Sequence, residues 1–157
     1  MKEYILTFLI AMVPLVELRA GIPAGVAMGL DWRVAVALCT VGNIVPVPII
    51  FFFARRVLEW GADKPVIGKF FTWCLKKGHH GGEKLKAKAG KGMFWALLLF
   101  VGIPLPGTGA WTGTLAASLL DLDFKKSIVA ITCGVLLAAV IITVATLLGF
   151  AAFVAVS

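Results

Sequence analysis

Apolar stretches of two different lengths alternate along the chain. Residues 4–13 and 93–103 are mostly apolar runs of ten and eleven residues, and a proline follows each. Residues 34–54 and 127–157 are runs of twenty-one and thirty-one residues without a charged side chain. An α-helix rises about 1.5 Å per residue, so a hydrocarbon core of ~30 Å needs roughly twenty residues. The pattern therefore predicts two crossing helices and two short helices that enter the membrane without crossing it.

A cluster of helix-breaking residues follows each short run. The clusters span residues 14–23 and 104–109, and each leads into a further short apolar arm, at 20–30 and 110–120. Proline removes a backbone donor, and hydrocarbon tolerates such a break only where protein or a water-filled cavity covers the freed groups. We therefore expect two re-entrant hairpins with facing tips, each followed by one crossing helix. The predicted bounds are 4–30 and 34–56 in the first unit, and 93–120 and 127–155 in the second.

An offset of ninety residues aligns the two units. It pairs Pro14 with Pro104, Ala20 with Ala110 and Asp31 with Asp121, among six identities in the eighteen positions from 14 to 31. A hairpin returns to its own side of the membrane and a crossing helix changes side, so the second unit is expected to be inverted. Inverted repeats with broken helices are typical of secondary transporters. The predicted fold is an all-α integral membrane protein, one domain over 1–157 with repeats at 1–58 and 93–157. The alternative is a small structural protein with two kinked hairpins.

Composition and charge agree with a membrane protein and orient it. The chain is 61% hydrophobic and 15% charged, whereas a soluble domain is closer to half apolar and a quarter charged. Ten of the fifteen basic residues lie between positions 55 and 91. Basic loops favour the cytoplasmic side, so we expect a basic, amphipathic connector at 59–92 in the cytoplasm and both termini outside. This basicity fits membrane lipid headgroups, and no nucleic-acid partner is expected.

The two breaker clusters carry the candidate chemistry. Arg19 and the N-termini of the two return arms would together form an anion site, because helix N-termini carry partial positive charge. Arginine suits phosphate or carboxylate, and nearby threonines add hydroxyl groups. The candidate substrate- or ion-binding residues are Glu17, Arg19, Gly21, Pro23, Asn43, Pro104, Pro106, Gly107, Thr108, Gly109, Trp111 and Thr112.

Three of these residues have two alternative roles each. Glu17 either pairs with Arg19 or another basic group, or it is a proton or sodium site coupled to transport, since burial favours a neutral carboxyl group. Asn43 forms a helix–helix hydrogen bond or lines the site. Trp111 closes the pocket or packs. The sequence shows no nucleophile–base pair, metal quartet or phosphate loop, and its three scattered cysteines form no pair, so we expect no enzyme, metal site or cofactor.

Three segments resemble a known family. ELRAGIP at 17–23, GNIVPVP at 42–48 and IPLPGTGAWTG at 103–113 resemble the small multidrug export proteins of prokaryotes, whose layout is similar to that of the DedA-like superfamily. The resemblance implies re-entrant hairpins in the prokaryotic inner membrane. It also implies two substrate classes, small drugs or lipids such as polyprenyl phosphates. The resemblance implies that lipid transport uses an acidic residue and arginines inside the membrane. Glu17 and Arg19 meet this requirement in the first hairpin, but the second hairpin has no arginine.

The function predicted from these observations is transport. We expect a homodimeric secondary-type transporter that moves an anionic amphiphile by alternating access, with Arg19 holding the headgroup and Glu17 coupling to a proton or sodium ion. One alternative is export of small cationic drugs, with Glu17 as the binding charge. The other is a structural or membrane-shaping protein whose polar tips pack together.

Overall fold

Every regular element in the described residues is an α-helix. A computed structural model of the protein describes residues 1–14, 16–63, 68–69, 72, 92–105 and 108–156. The helices are α1 (Lys2–Met12), α2 (Glu17–Ala27), α3 (Trp32–Ile44), α4 (Pro46–Ala62), α5 (Gly92–Gly102), α6 (Ala110–Leu119) and α7 (Phe124–Val156). The predicted connector at 59–92, with its amphipathic segment, lies largely outside the described residues.

The helices fall into the two length classes that the apolar pattern predicts. The hairpin helices α1, α2, α5 and α6 have 10 or 11 residues, or about 15–16 Å of helix. Two segments are long and apolar enough to cross a membrane, Trp32–Ala54 and Phe124–Gly149. Among the described residues the fold is therefore all-helical with two candidate membrane-spanning segments. The re-entrant course of the short helices and the inversion of the repeats stay predictions.

The first span is divided at Val45. The predicted helix at 34–56 is observed as α3 followed by α4, with Val45 still in helical geometry and its N–H bonded to the Val41 carbonyl. Pro46 and Pro48, which have no amide hydrogen to donate to the preceding turn, begin the second part. Helix α4 also runs on to Ala62, past the arginines expected to end it, because a charged side chain ends the apolar run without breaking the backbone hydrogen bonds.

The two halves share the contact between the short first helix and the spanning helix. A Cβ atom on Gly42 of α3 would lie 2.8 Å from the Phe8 carbonyl oxygen of α1. A Cβ atom on Gly134 of α7 would lie 2.7 Å from the Leu98 carbonyl oxygen of α5. Phe8 and Leu98 are 90 positions apart, and the glycines are 92 apart. In each half a glycine lets the two backbones approach closely.

The turns that follow the hairpins also match at an offset of 92. Gly29 and Asp121 both have left-handed backbones, with φ of 88° and 52°, where the hairpin helices end. The Asp31 carboxylate then accepts the Arg33 N–H at 2.8 Å at the start of α3, and the Asp123 carboxylate accepts the Lys126 N–H at 2.9 Å at the start of α7. These aspartates cap the spanning helices.

The offset of ninety is therefore wrong beyond the loops. It holds for α1 and α5, but the counterpart of Asp31 is Asp123 and not Asp121. The second loop is the longer one: α2 begins at Glu17, five positions after α1 ends at Met12, whereas α6 begins at Ala110, eight positions after α5 ends at Gly102. Glu17 and Gly109 are also 92 positions apart, and both have positive φ, 51° and 140°.

Helices of one half pack against helices of the other. Helix α6 lies against α4 as well as α7, and α2 lies against α7. The shared core contains the fully buried side chains of Leu18, Val47, Val101, Ile131 and Val135. Because each hairpin is held by the opposite half, the two interhelical loops are brought into contact.

Candidate functional site

The first loop ends in an unusual backbone conformation at Glu17. Val13, at the end of α1, is extended (φ −72°, ψ 131°), as expected for a residue before proline. Glu17 then begins α2 with φ of 51°, and its N–H bonds to the Val13 carbonyl at 3.0 Å. A left-handed residue other than glycine costs about 1–3 kcal/mol and persists only where its surroundings enforce it. The return arm was predicted to begin at Ala20, but this turn lets the helix begin three residues earlier.

The Glu17 carboxylate binds the start of α6. Its two oxygens accept the backbone N–H of Trp111 at 3.0 Å and of Ala110 at 3.3 Å, across 94 and 93 positions of sequence. The side chain is only 3% exposed. The first amides of a helix lack intrahelical acceptors and carry partial positive charge, so a carboxylate there is stabilising. The N-terminus predicted to hold a substrate anion is thus occupied by an anion of the protein itself.

Gly109 makes this approach possible. Its backbone (φ 140°, ψ −173°) lies in a region open essentially to glycine. A Cβ atom there would lie 2.3 Å from Glu17 Oε2, well inside contact distance. Both the conformation and the space therefore require glycine at this position.

Trp111 completes a reciprocal connection between the loops. Its indole Nε1–H donates to the Met12 carbonyl oxygen at 3.2 Å. Met12 is the last residue of α1, where carbonyl groups have no partner within the helix. The Trp111 indole of the second hairpin thus donates to the carbonyl that ends α1 in the first hairpin. In return, the Glu17 carboxylate of the first hairpin accepts the amides that begin α6 in the second. Pocket closure and packing were the two roles expected for Trp111, and the structure adds a third, as a hydrogen-bond donor at the junction of the loops.

Arg19 joins α2 to the second loop through neutral acceptors. Its guanidinium donates to the Leu105 carbonyl oxygen and, at 2.8 Å, to the Thr108 hydroxyl oxygen. Thr108 Oγ1 lies 2.9 Å from the Leu105 carbonyl oxygen and 3.0 Å from that of Ile103, so its single proton can be donated to either. Within the described part of the chain, no salt bridge involves Arg19 or Glu17; the ion pair found there joins the Met1 ammonium to Glu3.

The other predicted residues take different places. Gly21 is buried in α2, where a Cβ atom would lie 2.7 Å from Cys39 Sγ, so it serves helix packing. Pro23 lies inside α2 and removes the amide that would bond the Arg19 carbonyl. The Thr112 hydroxyl lies 3.4 Å from the Gly109 carbonyl, and Pro104 is half-buried beside the second loop. Asn43 is buried in α3, and Pro106 and Gly107 lie outside the described residues.

Sequence reasoning missed the main-chain groups of this junction. The carbonyls of Met12 and Leu105 accept side-chain bonds from the opposite half, and no residue type marks an accepting carbonyl. One signal was available in the sequence. Glu17 is the one acidic residue of the first breaker cluster, and the helix that follows the second cluster begins with amides that need an acceptor. The offset of ninety hid the signal, because it places Glu17 opposite Gly107 instead of Gly109.

These features indicate a membrane protein with two candidate spanning segments and two pairs of short helices whose loops bind one another. A family model described as "Putative small multi-drug export protein" matches residues 17–141, and the chain belongs to that family. This description is of a small membrane export protein, so transport and not catalysis is the indicated class of activity. No curated protein and no solved structure matches the chain.

Proposed function

We propose that the protein is a secondary-type transporter that moves an anionic amphiphile, such as a lipid phosphate, across the membrane. The observation that carries the proposal is the bonding of Arg19. Its guanidinium is half-buried at the junction of the loops and binds a carbonyl and a hydroxyl group. Because those acceptors are neutral, its positive charge is available to a phosphate or carboxylate headgroup, which arginine binds strongly.

The bonding of Glu17 favours this substrate class over a cationic drug. Both carboxylate oxygens accept backbone N–H groups, and the side chain is nearly inaccessible. A cationic drug would have to take Glu17 away from α6 and leave two helix amides without an acceptor, each at a cost of about 1–3 kcal/mol. An anion that replaces Glu17 beside Arg19 can itself accept the α6 amides, so no donor is left without an acceptor.

Glu17 is the proposed coupling group. Protonation would remove the charge that strengthens its bonds to Ala110 and Trp111, since bonds to an ionised group are about twice as strong as neutral ones. Weaker capping would let the loops separate and would expose α6 amides beside Arg19 to the substrate. In this mechanism the Glu17 carboxylate and the substrate anion bind the N-terminus of α6 in turn. The exchange of one for the other is coupled to the change in which side of the membrane the site faces.

The proposal includes an arrangement in the membrane. The short helices form re-entrant hairpins of opposite orientation, which their lengths and the matched glycine contacts of the two halves support. The basic connector faces the cytoplasm of a prokaryotic cell, and the termini lie outside. A second copy of the chain completes the path, because two spanning helices enclose little space by themselves.

Bound lipid measured by mass spectrometry under non-denaturing conditions tests the proposal. We expect purified wild type to retain a phosphate-headed lipid, and Arg19→Ala to lose it. Arg33→Ala is the matched control, since Arg33 is an exposed guanidinium that lies over the Trp32 ring and should leave the retained lipid unchanged.

Two other outcomes would contradict the proposal. A cationic dye whose binding is lost in Glu17→Gln but kept in Arg19→Ala would indicate drug export. A folded wild-type protein that binds neither lipid nor dye, while both variants assemble poorly, would indicate a structural role.

A further inference from the structure

A buried amide oxygen in α3 lacks a partner. The Asn43 side chain is 1% exposed, and its Oδ1 atom accepts no hydrogen bond among the described residues. Other buried polar side chains, such as Thr114 and Ser118, donate to main-chain carbonyls. Native proteins rarely leave a buried acceptor without a donor, so each exception needs an explanation. A donor that forms only in another state of the protein would explain Asn43.

The packing of α2 on α3 has a simple register. A Cβ atom on Gly25 would lie 3.0 Å from Ala35 Cβ, and a Cβ atom on Gly21 would lie 2.7 Å from Cys39 Sγ. The two helices are therefore antiparallel, and the contact moves back four residues along α2 for every four residues forward along α3. Residues four positions apart lie on one face of a helix, so these contacts define the two facing surfaces.

The next step along the same two surfaces brings Glu17 level with Asn43. Both side chains are buried, at 3% and 1% exposed. Ala11 of α1 marks the same level from a third helix, because its Cβ would lie 3.4 Å from a Cβ atom on Gly21 and 3.3 Å from one on Gly42. Asn43 therefore lies at the level of the loop junction, on the face of α3 that packs against α2.

The charge state of Glu17 explains why Asn43 Oδ1 has no partner. An ionised carboxylate can only accept hydrogen bonds, and an amide oxygen also only accepts. Glu17 accepts the amides of Ala110 and Trp111 in this structure, so it has no proton to offer to Asn43. Protonation turns one carboxyl oxygen into an O–H donor, and the same change weakens the bonds to α6.

The helices packed against α2, which are α1, α3 and α7, carry few other charged or titratable side chains toward the junction. These side chains are Arg19 on α2 itself, Cys39 on α3, and Lys125, Lys126 and Cys133 on α7. Helix α6 has none, and those of α1 and the others of α3 lie at the opposite ends of these helices. Arginine and lysine offer no acceptor, and a thiol offers only a weak one. Among these side chains, Asn43 is thus the strongest acceptor for a proton on Glu17.

We infer that Asn43 holds the coupling group in its second position: Asn43 Oδ1 accepts the O–H of the protonated Glu17 carboxyl group once that group has left α6. The inference rests on the coupling role proposed for Glu17. The carboxylate takes its proton from solvent, and on returning the proton to solvent it binds the α6 amides again. Asn43 is a positioning residue, which keeps Glu17 away from the N-terminus of α6 while a substrate anion occupies it.

A double-mutant cycle measured by thermal unfolding in detergent tests the pairing. Glu17→Gln imitates the protonated group, because glutamine is neutral and has N–H donors. Asn43→Leu removes the acceptor, which has no partner in the ionised state. We expect Asn43→Leu to lower Tm by about 2–4 °C more in the Glu17→Gln background than in wild type, as for one hydrogen bond in a chain of this length. The cycle cancels the effect of the leucine side chain on packing.

Ser118→Ala is the control for the cycle. It removes another buried hydrogen bond, to the Phe51 carbonyl at 2.7 Å, and should lower Tm equally in both backgrounds. If Asn43→Leu also changed Tm equally in both backgrounds, Glu17 and Asn43 would not be paired, and the inference would be overturned.

Infrared difference spectroscopy in acid observes the protonated carboxyl group itself. The C=O band that is absent from Glu17→Gln should lie at the frequency of a hydrogen-bonded acid in wild type and move to higher frequency in Asn43→Leu. A purely structural role of Asn43 would not move this band. If Asn43→Leu does not fold, wild type still decides, because a band at the frequency of a free acid, or no Glu17 band before acid unfolding, would overturn the inference. Neither measurement uses a substrate, so failure of lipid retention would contradict the proposed function alone.

Discussion

The Glu17 carboxylate accepts the backbone N–H of Trp111 at 3.0 Å, and the indole of the same Trp111 donates to the carbonyl that ends the helix before Glu17. The two halves of the protein thus satisfy each other's helix ends. A helix end that is buried in protein has no water to bind, so the exchange stabilises both pairs of short helices at once. Separation of the loops would break all these bonds together, which is why we place the transport step here.

Removal of the Glu17 carboxylate should destabilise the fold. Loss of a helix cap costs about 0.5–2 kcal/mol, so we expect Glu17→Ala to lower the free energy of unfolding by about that much. Glu17→Gln keeps one acceptor oxygen and should lose less. Thermal unfolding in detergent measures both. Equal Tm in wild type and Glu17→Ala would show that the carboxylate does not cap α6.

Substitution of Gly109 should do more damage than substitution of another left-handed glycine. Gly109→Ala strains the backbone and places a methyl group against the Glu17 carboxylate, so we expect a loss above about 3 kcal/mol or failure to fold. Gly29→Ala is the matched control: its φ is 88°, but nothing lies within 4 Å of the added Cβ. We expect about 1 kcal/mol there, from conformation alone. Similar Tm losses in the two variants would argue against the contact with Glu17.

The indole bond of Trp111 can be removed without removing the ring. Trp111→Phe leaves the Met12 carbonyl without its donor and should cost about 0.5–1.5 kcal/mol. Trp95→Phe, at a side chain 60% exposed, is the control and should change Tm little. Amide hydrogen exchange at the end of α1 gives a second measurement, because exchange should quicken there in Trp111→Phe. Unchanged exchange would mean that this bond does not hold α1.

Thr108 should set the geometry of Arg19. Thr108→Val keeps the shape but removes the hydroxyl that accepts from Arg19. A lost hydrogen bond of about 1 kcal/mol corresponds to roughly fivefold weaker retention of a phosphate-headed lipid. Thr112→Val is the control, since the Thr112 hydroxyl contacts only the Gly109 carbonyl among the described residues. If Thr108→Val and wild type retained the phosphate-headed lipid equally, the Thr108 hydroxyl would not be needed to position Arg19, and the Leu105 carbonyl would be sufficient.

The paired glycines test the correspondence of the two halves. Gly42→Ala and Gly134→Ala each place a methyl group within 2.8 Å of a carbonyl oxygen of the neighbouring short helix. We expect similar losses of stability, of about 1–3 kcal/mol, because overpacking forces the helices apart. Gly149→Ala, where nothing lies within 4 Å, should instead stabilise α7 by about 0.5–1 kcal/mol. A large loss in one paired variant and none in the other would show that the halves are not equivalent.

The sequence by itself determined where helices form and where they break. Apolar run length and the prolines act within a few residues, so the short and long helical segments were predictable. The family was recognisable from three short segments for the same reason. The change of offset from 90 to 92 between the two halves escaped, because Pro14 and Pro104 align well at an offset that fails only after them.

Only the tertiary structure decided what the charged residues do. Glu17 could have paired with Arg19 two positions away, but it binds amides more than ninety positions away, and Arg19 binds a carbonyl and a hydroxyl instead. The physical reason is that unsatisfied helix ends are costly away from water, and they become partners only when packing of α6 on α4 and of α2 on α7 brings the loops together.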